Sequence, residues 1–185
     1  AKHYAVHSGP EPLRHSFDAV IGEMDFRNTY LPAFRKSVLE GRVYSVMCAY
    51  NRYMGEPCCG SVPLENEILR EELGFKGYIV SDCGAIRDFY QGHGVAENAE
   101  EASARAVMSG TDLNCGQQFP SLVQAVRQGL VPEEDVDQAV YRLMLARLRL
   151  GMFDPEENVP WSGTNLNVVA GEDHKNIALQ MARES

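Results

Sequence analysis

The 185 residues, 44% of them hydrophobic, suit one globular domain with a buried core and exclude a disordered chain. The 26 acidic and 17 basic residues are scattered along the chain and give a net charge of −9, which argues against a nucleic-acid partner and favours a neutral or small-molecule ligand. No apolar segment approaches the roughly 18 residues that a membrane span requires, so we expect no membrane span.

Short apolar runs that predict β-strands alternate with helical patterns along the chain. The predicted strands are residues 2–7, 43–50, 78–82 and 111–115. The predicted helices are residues 26–39, 65–73 and 97–108, and a fourth that Pro132 opens and Gly151 closes. The apolar stripe expected on that fourth helix consists of Val136, Ala139, Val140, Leu143 and Met144. Predicted strands begin 33 to 41 residues apart, the size of a βαβ unit, so the sequence predicts an α/β fold with a parallel sheet.

The number of βα units and the two chain ends predict a piece of a larger domain. About four units are present, which is half of what a closed barrel of eight requires. The chain starts inside a predicted strand and stops inside a helical pattern without a cap. We therefore expect residues 1–152 to form part of a barrel, and residues 153–185 to form a linker and the start of a helix that leads to an absent second domain.

Asp82 is the candidate catalytic residue because it ends a buried strand, and the carboxyl ends of parallel strands face the ligand. The alternative is that Asp82 only caps the following helix or turn, with Gly84 supplying a permissive backbone. Several polar residues are expected at the same ends of the other strands. They are Lys2, His3, Tyr50, Asn51, Asp112 and Asn114. Because several polar residues are expected together, a catalytic site is favoured over a set of separate helix or turn caps.

Four motifs, in this order and spacing, resemble the second half of the catalytic barrel of glycoside hydrolase family 3, of the β-xylosidase and β-glucosidase type. They are K-H-Y-A-V-H, V-M-C-A-Y-N-R-Y-M-G-E-P, G-F-K-G-Y-I-V-S-D-C-G-A and A-V-M-S-G-T-D-L-N-C-G. The resemblance covers nearly the whole chain, including a tail similar to the lead into the family's second domain. It implies part of a (β/α)8 TIM-type barrel, followed by a linker toward an α/β sandwich domain that this chain lacks.

The resemblance implies a retaining, exo-acting β-glycosidase that hydrolyses terminal non-reducing β-D-sugars without a cofactor. Asp82 matches the nucleophile that forms a covalent glycosyl-enzyme. Lys2 and His3 match a pair that hydrogen-bonds sugar hydroxyls, and Lys2 would keep Asp82 ionised if it lies near enough. Tyr50 matches a tyrosine beside the nucleophile, whose phenol could donate to the carboxylate. The alternatives are a solvated Lys2, a core histidine at His3 and a core tyrosine at Tyr50.

Retention requires a second carboxyl group about 5 Å from the first, to protonate the leaving oxygen. In the resembled family this acid usually comes from the later domain. One branch uses an Asp-Ser-His loop instead, but here Leu13 replaces the aspartate, so His15 is expected to be structural or to contact substrate. A metal site built on His3, His7 and Asp82 has little support, because no further spacing resembles a ligand set.

The five cysteines refine the subgroup and suggest disulfides. Cys83 follows Asp82 where many glucosidases of the family have tryptophan, which favours the β-xylosidase and arabinofuranosidase-like branch over a β-glucosidase and places Cys83 at the sugar pocket. Cys83 and Cys115 follow consecutive strands, about 4.8 Å apart if adjacent, within disulfide range. Cys48 could pair with Cys58 or Cys59, and the alternative is five free thiols. Disulfides would favour a periplasmic or secreted protein.

Two functions from different classes remain open at this point. One is an enzyme acting on oligosaccharides or glycosides, completed by the missing half of the barrel and the second domain of a parent chain. The other is a catalytically inactive, carbohydrate-binding half-barrel.

Overall fold

The computed structural model describes all 185 residues, which form a mixed α/β structure. Two compact units divide the chain, Ala1–Ala146 and Arg147–Ser185. The strands are β1 (Asp18–Ala19), β2 (Ser45–Cys48), β3 (Arg52–Tyr53), β4 (Glu56–Pro57) and β5 (Tyr78–Ser81). The helices are α1 (Glu23–Asp25), α2 (Leu31–Leu39), α3 (Ala85–Gln91), α4 (Ala99–Ser109), α5 (Leu122–Arg127), α6 (Glu133–Arg149) and α7 (Glu172–Glu184), with π-helical segments at Phe26–Tyr30 and Pro63–Glu72. None of the helices combines the length and the apolar character that a bilayer crossing requires.

The central feature of the first unit is the parallel pair of β2 and β5, in which Ser45 lies opposite Tyr78 and Cys48 opposite Ser81. Tyr4 forms a parallel bridge to Cys48, and Leu113 forms a parallel bridge to Val80. Four segments therefore lie side by side in chain order and point the same way. Because parallel neighbours share one direction, their carboxyl ends meet at one edge.

The predicted strands at residues 43–50 and 78–82 are confirmed with shorter bounds, whereas those at residues 2–7 and 111–115 are wrong in extent. Each of the latter contributes a single bridging residue. Val6 has a φ of 57°, a left-handed conformation that interrupts an extended chain. Near Leu113, the amides of Asp112 and Leu113 both donate to the carbonyl of Ile79 (2.9 and 3.0 Å), so their bonds do not alternate as a ladder requires.

A small second sheet was not predicted. β1 pairs in parallel with β3, and β3 pairs antiparallel with β4. Met54 and Gly55, with φ values of 53° and 87°, make the tight turn between β3 and β4. Strands of two residues are too short for their hydrophobic alternation to be recognised in a sequence.

The predicted helices are confirmed with shifted ends. The predicted helix at residues 26–39 is a π-helical turn followed by α2, and the one at 65–73 lies within the π-helical segment Pro63–Glu72. Asn98 caps α4 by accepting the amide of Glu101 at 3.0 Å, and Gly110 ends it in a left-handed conformation. α3 and α5, of seven and six residues, were not predicted.

On α6 the apolar stripe differs from the predicted one. Ala139 and Ala146 are buried, but Val140 and Met144 are 50% and 39% exposed. Val136 packs against a small apolar cluster. The members of that cluster are Ala104, Val107, Leu122, Ala125 and Val131. The buried face of α6 thus contains Val136, Ala139 and Ala146, whereas Val140 and Met144 face solvent.

The second unit contains the predicted linker and the terminal helix. Residues 153–171 include 3-10 turns at Glu156–Asn158 and Leu166–Val168, the second started by Asn165, whose side chain accepts the amide of Asn167. The helical pattern at the chain end forms α7, on which Ile177 and Met181 are exposed.

Candidate active site

Asp82 directly follows β5, and the local structure explains why a buried strand ends on an acid. Along β5, burial alternates so that Ile79 and Ser81 face the core. The amide of Asp82 still donates to the carbonyl of Cys48 at 3.2 Å, and Gly84, with a φ of 85°, then turns the chain into α3. The carboxylate of Asp82 is therefore delivered to the carboxyl edge of the sheet, where the residue remains 9% exposed.

The Asp82 side chain does not cap α3. One carboxylate oxygen, Oδ1, accepts the amide of Cys83 at 2.8 Å, and the N-cap of α3 is Gly84, which has no side-chain cap. The other oxygen, Oδ2, lies 3.4 Å from Nε2 of His3. Both oxygens thus have neighbours that fix the rotamer. The helix part of the capping alternative is absent, whereas the bond from the Cys83 amide lies in the turn that precedes α3.

His3 faces Asp82 from the first parallel segment. Burial is the main cause that lowers the pKa of His3; the Asp82 carboxylate opposes this shift, while Lys2 and His7 add to it. A neutral imidazole at pH 7 can donate its Nε2 hydrogen to Asp82 or to a bound hydroxyl. The His7 ring lies 5.2 Å from the His3 ring, centroid to centroid, so the two histidines are neighbours.

Lys2 is exposed and forms no ion pair with Asp82. Lys2 therefore does not keep Asp82 ionised through direct contact. His3 is the basic side chain that touches Asp82.

Tyr50 follows β2, next to Asp82. Its hydroxyl donates to the carbonyl of Cys83 at 2.8 Å. Burial is the largest cause that raises the pKa of Tyr50, followed by the negative charge of the nearby Asp82 carboxylate. The phenol therefore stays protonated and binds the loop that carries the acid.

His15 belongs to a cluster with Asp88, Arg14 and Tyr50, of which the sequence predicted only His15 and Tyr50 as site residues. Its Nδ1 lies 2.7 Å from Oδ2 of Asp88, and Arg14 Nε donates to its Nε2 at 3.1 Å. Because Nε2 accepts, the ring hydrogen is assigned to Nδ1, which donates to Asp88. The edge of the His15 ring meets Tyr50 at a centroid distance of 4.5 Å, and the Arg14 guanidinium lies 5.2 Å from the centre of the Tyr50 ring. Asp88 carried no local signal, since its partner His15 is 73 residues away. Arg14 is the sequence neighbour of His15, but its contact with Tyr50 is long-range.

Disulfides join Cys83 to Cys115 and Cys48 to Cys59. Of the two partners considered for Cys48, the structure contains Cys59; Cys58 is a buried free thiol that donates to the carbonyl of Ala5 at 3.4 Å. The Cys83–Cys115 bridge begins one residue after Asp82, and Gly84 N donates to Cys115 O at 2.7 Å beside it.

Of the other expected strand-end residues, Asp112 lies elsewhere. Its carboxylate accepts the amide of Ile79 near the amino end of β5 and pairs with Arg70 and Arg142. Asn114 is at the carboxyl edge, where its Oδ1 accepts from Ser81 Oγ at 3.2 Å.

Asn51 supports the first parallel segment. Its amide donates to the carbonyls of Ala5 and Val6, and its Oδ1 lies 3.3 Å from Nδ1 of His7. No group of three or more His, Cys, Asp or Glu side chains has the geometry of a metal site.

Residues 1–146 match the sequence profile of the glycosyl hydrolase family 3 N-terminal domain. The chain belongs to glycoside hydrolase family 3. It is 45% identical over 188 residues to a xylan 1,4-β-xylosidase of Xylanibacter ruminicola, covering 100% of this chain and 22% of that protein. It is 38% identical over 173 residues to a probable β-D-xylosidase 7 of Arabidopsis thaliana, covering 92% of this chain and 22% of that protein.

Solved structures of a β-xylosidase and a β-glucosidase contain the fold of this chain. An exo-β-xylosidase in complex with a xylobiose aziridine probe superposes with a TM-score of 0.90 at 32% identity, covering 97% of this chain and 24% of that one. A β-glucosidase from Erythrobacter marinus gives a TM-score of 0.88 at 31% identity, covering 100% of this chain and 24% of that one. The chain thus spans about a quarter or less of the length of these family 3 relatives, which are named as glycoside hydrolases.

Proposed function

We propose that this chain carries the nucleophile of a retaining, exo-acting β-glycosidase, that the nucleophile is Asp82, and that the favoured activity is that of a β-xylosidase. The observation that carries the proposal is the fixed Asp82 carboxylate at the carboxyl edge of a parallel sheet, held by the Cys83 amide and faced by His3. A nucleophile needs this combination of a set rotamer and partial exposure.

In the proposed reaction, one Asp82 oxygen bonds to the anomeric carbon of the terminal sugar while the bond to the leaving oxygen breaks. An acid from outside this chain protonates the leaving oxygen, and water then hydrolyses the glycosyl-enzyme to release the sugar and the free carboxylate. In this proposal His3 and Lys2 hydrogen-bond sugar hydroxyls, and such bonds accelerate the step when they strengthen as the ring flattens. Tyr50 holds the peptide that follows the nucleophile.

A β-xylosidase is favoured by two observations. Relatives at 38% to 45% identity are named xylosidases, and Cys83 stands directly after Asp82, where many glucosidases of the family have tryptophan. A β-glucosidase is the second candidate, supported by the superposition on the Erythrobacter marinus enzyme.

The proposal includes a longer parent chain. Tyr4, β2, β5 and Leu113 are parallel neighbours in chain order, which is the arrangement of successive strands in a (β/α)8 barrel. We assign residues 1–152 to the second half of such a barrel and residues 153–185 to a linker and the start of a helix leading to an α/β sandwich domain. The two disulfides support a periplasmic or secreted location.

The test uses the full-length protein and the isolated 185 residues, each assayed with nitrophenyl β-xyloside, β-glucoside, α-arabinofuranoside and N-acetyl-β-glucosaminide. The expected result is highest kcat/KM for the xyloside in the full-length protein. Asp82→Asn should remove at least about 10³-fold of that activity, because a neutral amide cannot form the glycosyl ester. Asp25→Asn, a change at an exposed aspartate on α1, is the matched control and should leave it unchanged.

If the full-length protein hydrolyses none of the four substrates, the proposal that it is a glycosidase is refuted. The alternative, a catalytically inactive, carbohydrate-binding half-barrel, would then remain. A higher kcat/KM on the glucoside would replace the xylosidase with the second candidate.

A further inference from the structure

We propose that Asp88 is a positioning residue of this active site, which acts on the nucleophile Asp82 through His15 and Tyr50. The inference rests on the proposed function, because it concerns the step in which Asp82 attacks the sugar. Asp88 lies on α3, six positions after Asp82, with only 5% of its side chain exposed. Its contact with His15 is the hydrogen bond that its carboxylate makes in the structure.

The first link is between Asp88 and His15. The carboxylate accepts the Nδ1 hydrogen of His15 at 2.7 Å, and Arg14 donates to the opposite ring nitrogen at 3.1 Å. These two bonds fix both the tautomer and the plane of the imidazole. Gly92, just after α3, shows how closely the loop is seated, since a Cβ there would lie 2.2 Å from the carbonyl oxygen of His15. The loop that carries His15 is therefore docked on the helix that carries Asp88.

The second link is between His15 and Tyr50. The imidazole edge and the Tyr50 ring meet at 4.5 Å, in the edge-to-face arrangement that aromatic pairs prefer. The Arg14 guanidinium lies 5.2 Å from the centre of the same ring, within the range of a cation–π contact. Tyr50 thus has a fixed side-chain direction, although the residue itself is only partly buried.

The third link is between Tyr50 and the nucleophile. The Tyr50 hydroxyl holds the Cys83 carbonyl at 2.8 Å, and the Cys83 amide holds Oδ1 of Asp82 at 2.8 Å. Cys83 therefore accepts a hydrogen bond from Tyr50 on its carbonyl oxygen and donates one from its amide to Asp82. A change in the direction of Tyr50 moves the Cys83–Gly84 peptide group, and through the Cys83 Cα it moves the Asp82–Cys83 peptide group, whose amide sets the angle of the Asp82 carboxylate. Misplacing a reacting group by about 1 Å can cost on the order of 100-fold in rate.

The test is a double-mutant cycle in the full-length enzyme. Asp88→Ala, Asp88→Asn and Tyr50→Phe are made alone, and Asp88→Ala is also combined with Tyr50→Phe. The measured quantity is the rate at which a 2-deoxy-2-fluoro-xyloside inactivates the enzyme, separated into its binding constant and its maximal rate constant, with kcat and KM on nitrophenyl xyloside.

We expect Asp88→Ala to lower kcat and the maximal inactivation rate about 10- to 100-fold, with KM changed less than about twofold. Asp88→Asn should recover most of the loss, because its amide oxygen still accepts the Nδ1 hydrogen of His15. In the Tyr50→Phe background, Asp88→Ala should add less than about twofold. His15→Ala, at a side chain that is 42% exposed, repeats the cycle from a position that tolerates truncation and should give the same non-additivity.

Effects of Asp88→Ala and Tyr50→Phe that simply multiply would overturn the inference, as would an Asp88→Ala enzyme with unchanged kcat. Either result in an active wild-type enzyme leaves the proposed function standing. A wild-type protein inactive on all four glycosides overturns the proposed function and this inference with it.

Discussion

Asp112 provides the sharpest test of which polar strand-end residues are structural. Its carboxylate is 1% exposed and accepts three donors: Arg70 at 2.7 Å, Arg142 at 2.8 Å and the Ile79 amide at 2.8 Å. Removing one partner of a buried ion pair costs about 3–5 kcal/mol. Arg142 is 26% exposed and can recover water, so for Asp112→Ala we expect the lower end, about 3 kcal/mol.

The Ile79 amide reports this loss directly, because Asp112 is its acceptor. A loss of about 3 kcal/mol corresponds to an exchange rate about two orders of magnitude faster, measured by hydrogen–deuterium exchange of peptides that cover β5 in the full-length protein. The matched control is Glu72→Ala, which breaks an exposed ion pair with Arg27 and should leave exchange at β5 unchanged. The kcat/KM of correctly folded Asp112→Ala enzyme should stay within about twofold of wild type.

Equal exchange of the Ile79 peptide in the Asp112→Ala and Glu72→Ala proteins would refute the role given to the buried pair. A large loss of kcat/KM with unchanged exchange would instead return Asp112 to the active site, where the sequence pattern first placed it.

Three further predictions concern a buried carboxyl group, the disulfides and the free thiol. Burial raises the pKa of Glu65 well above its usual value, so the stability of the native protein should fall as pH rises from about 4, where the unfolded carboxyl ionises; Glu65→Gln should abolish that fall in thermal melts between pH 4 and 8. Replacing Cys83 and Cys115 together by serine should lower kcat on the xyloside at least about fivefold, because the bridge anchors the loop beside the nucleophile; removing the Cys48–Cys59 bridge instead should leave kcat of the folded enzyme within about twofold. Burial raises the pKa of the Cys58 thiol to about 12, so native protein should resist alkylation by iodoacetamide at pH 8, and rapid native labelling would contradict this.

Local patterns were sufficient for the elements that dominate the fold. An apolar run that stops on Asp82, and the helices that begin near Pro63 and Asn98, carry their signals within a few residues, so periodicity and capping rules located them. The extent of the segments around Tyr4 and Leu113 could not be predicted in the same way. Strand length depends on which distant amide and carbonyl are available, and propensity contains no information about that.

The candidate site shows the same division. Asp82 and Tyr50 were singled out because each ends a predicted strand, where side chains converge, and His3 because it lies on the first predicted strand and matches a family motif. Asp88 was missed because its partner, His15, is 73 residues away, and nothing in the helix that contains it distinguishes a positioning carboxylate from a solvated one. Asp112 was misplaced for a related reason, since the sequence does not show that two arginines would neutralise it at the opposite end of β5.

The central claim is that Asp82 forms a covalent bond to the substrate sugar, and peptide mapping after mechanism-based labelling tests it most directly. The full-length enzyme is inactivated with a 2-deoxy-2-fluoro-xyloside, whose fluorine slows hydrolysis of the glycosyl-enzyme, and is then digested and sequenced by mass spectrometry. The account predicts one pentosyl label on the Asp82 carboxylate, absent from Asp82→Asn and retained in Asp25→Asn. A label on any other residue, or inactivation of the Asp82→Asn protein at the wild-type rate, would contradict it.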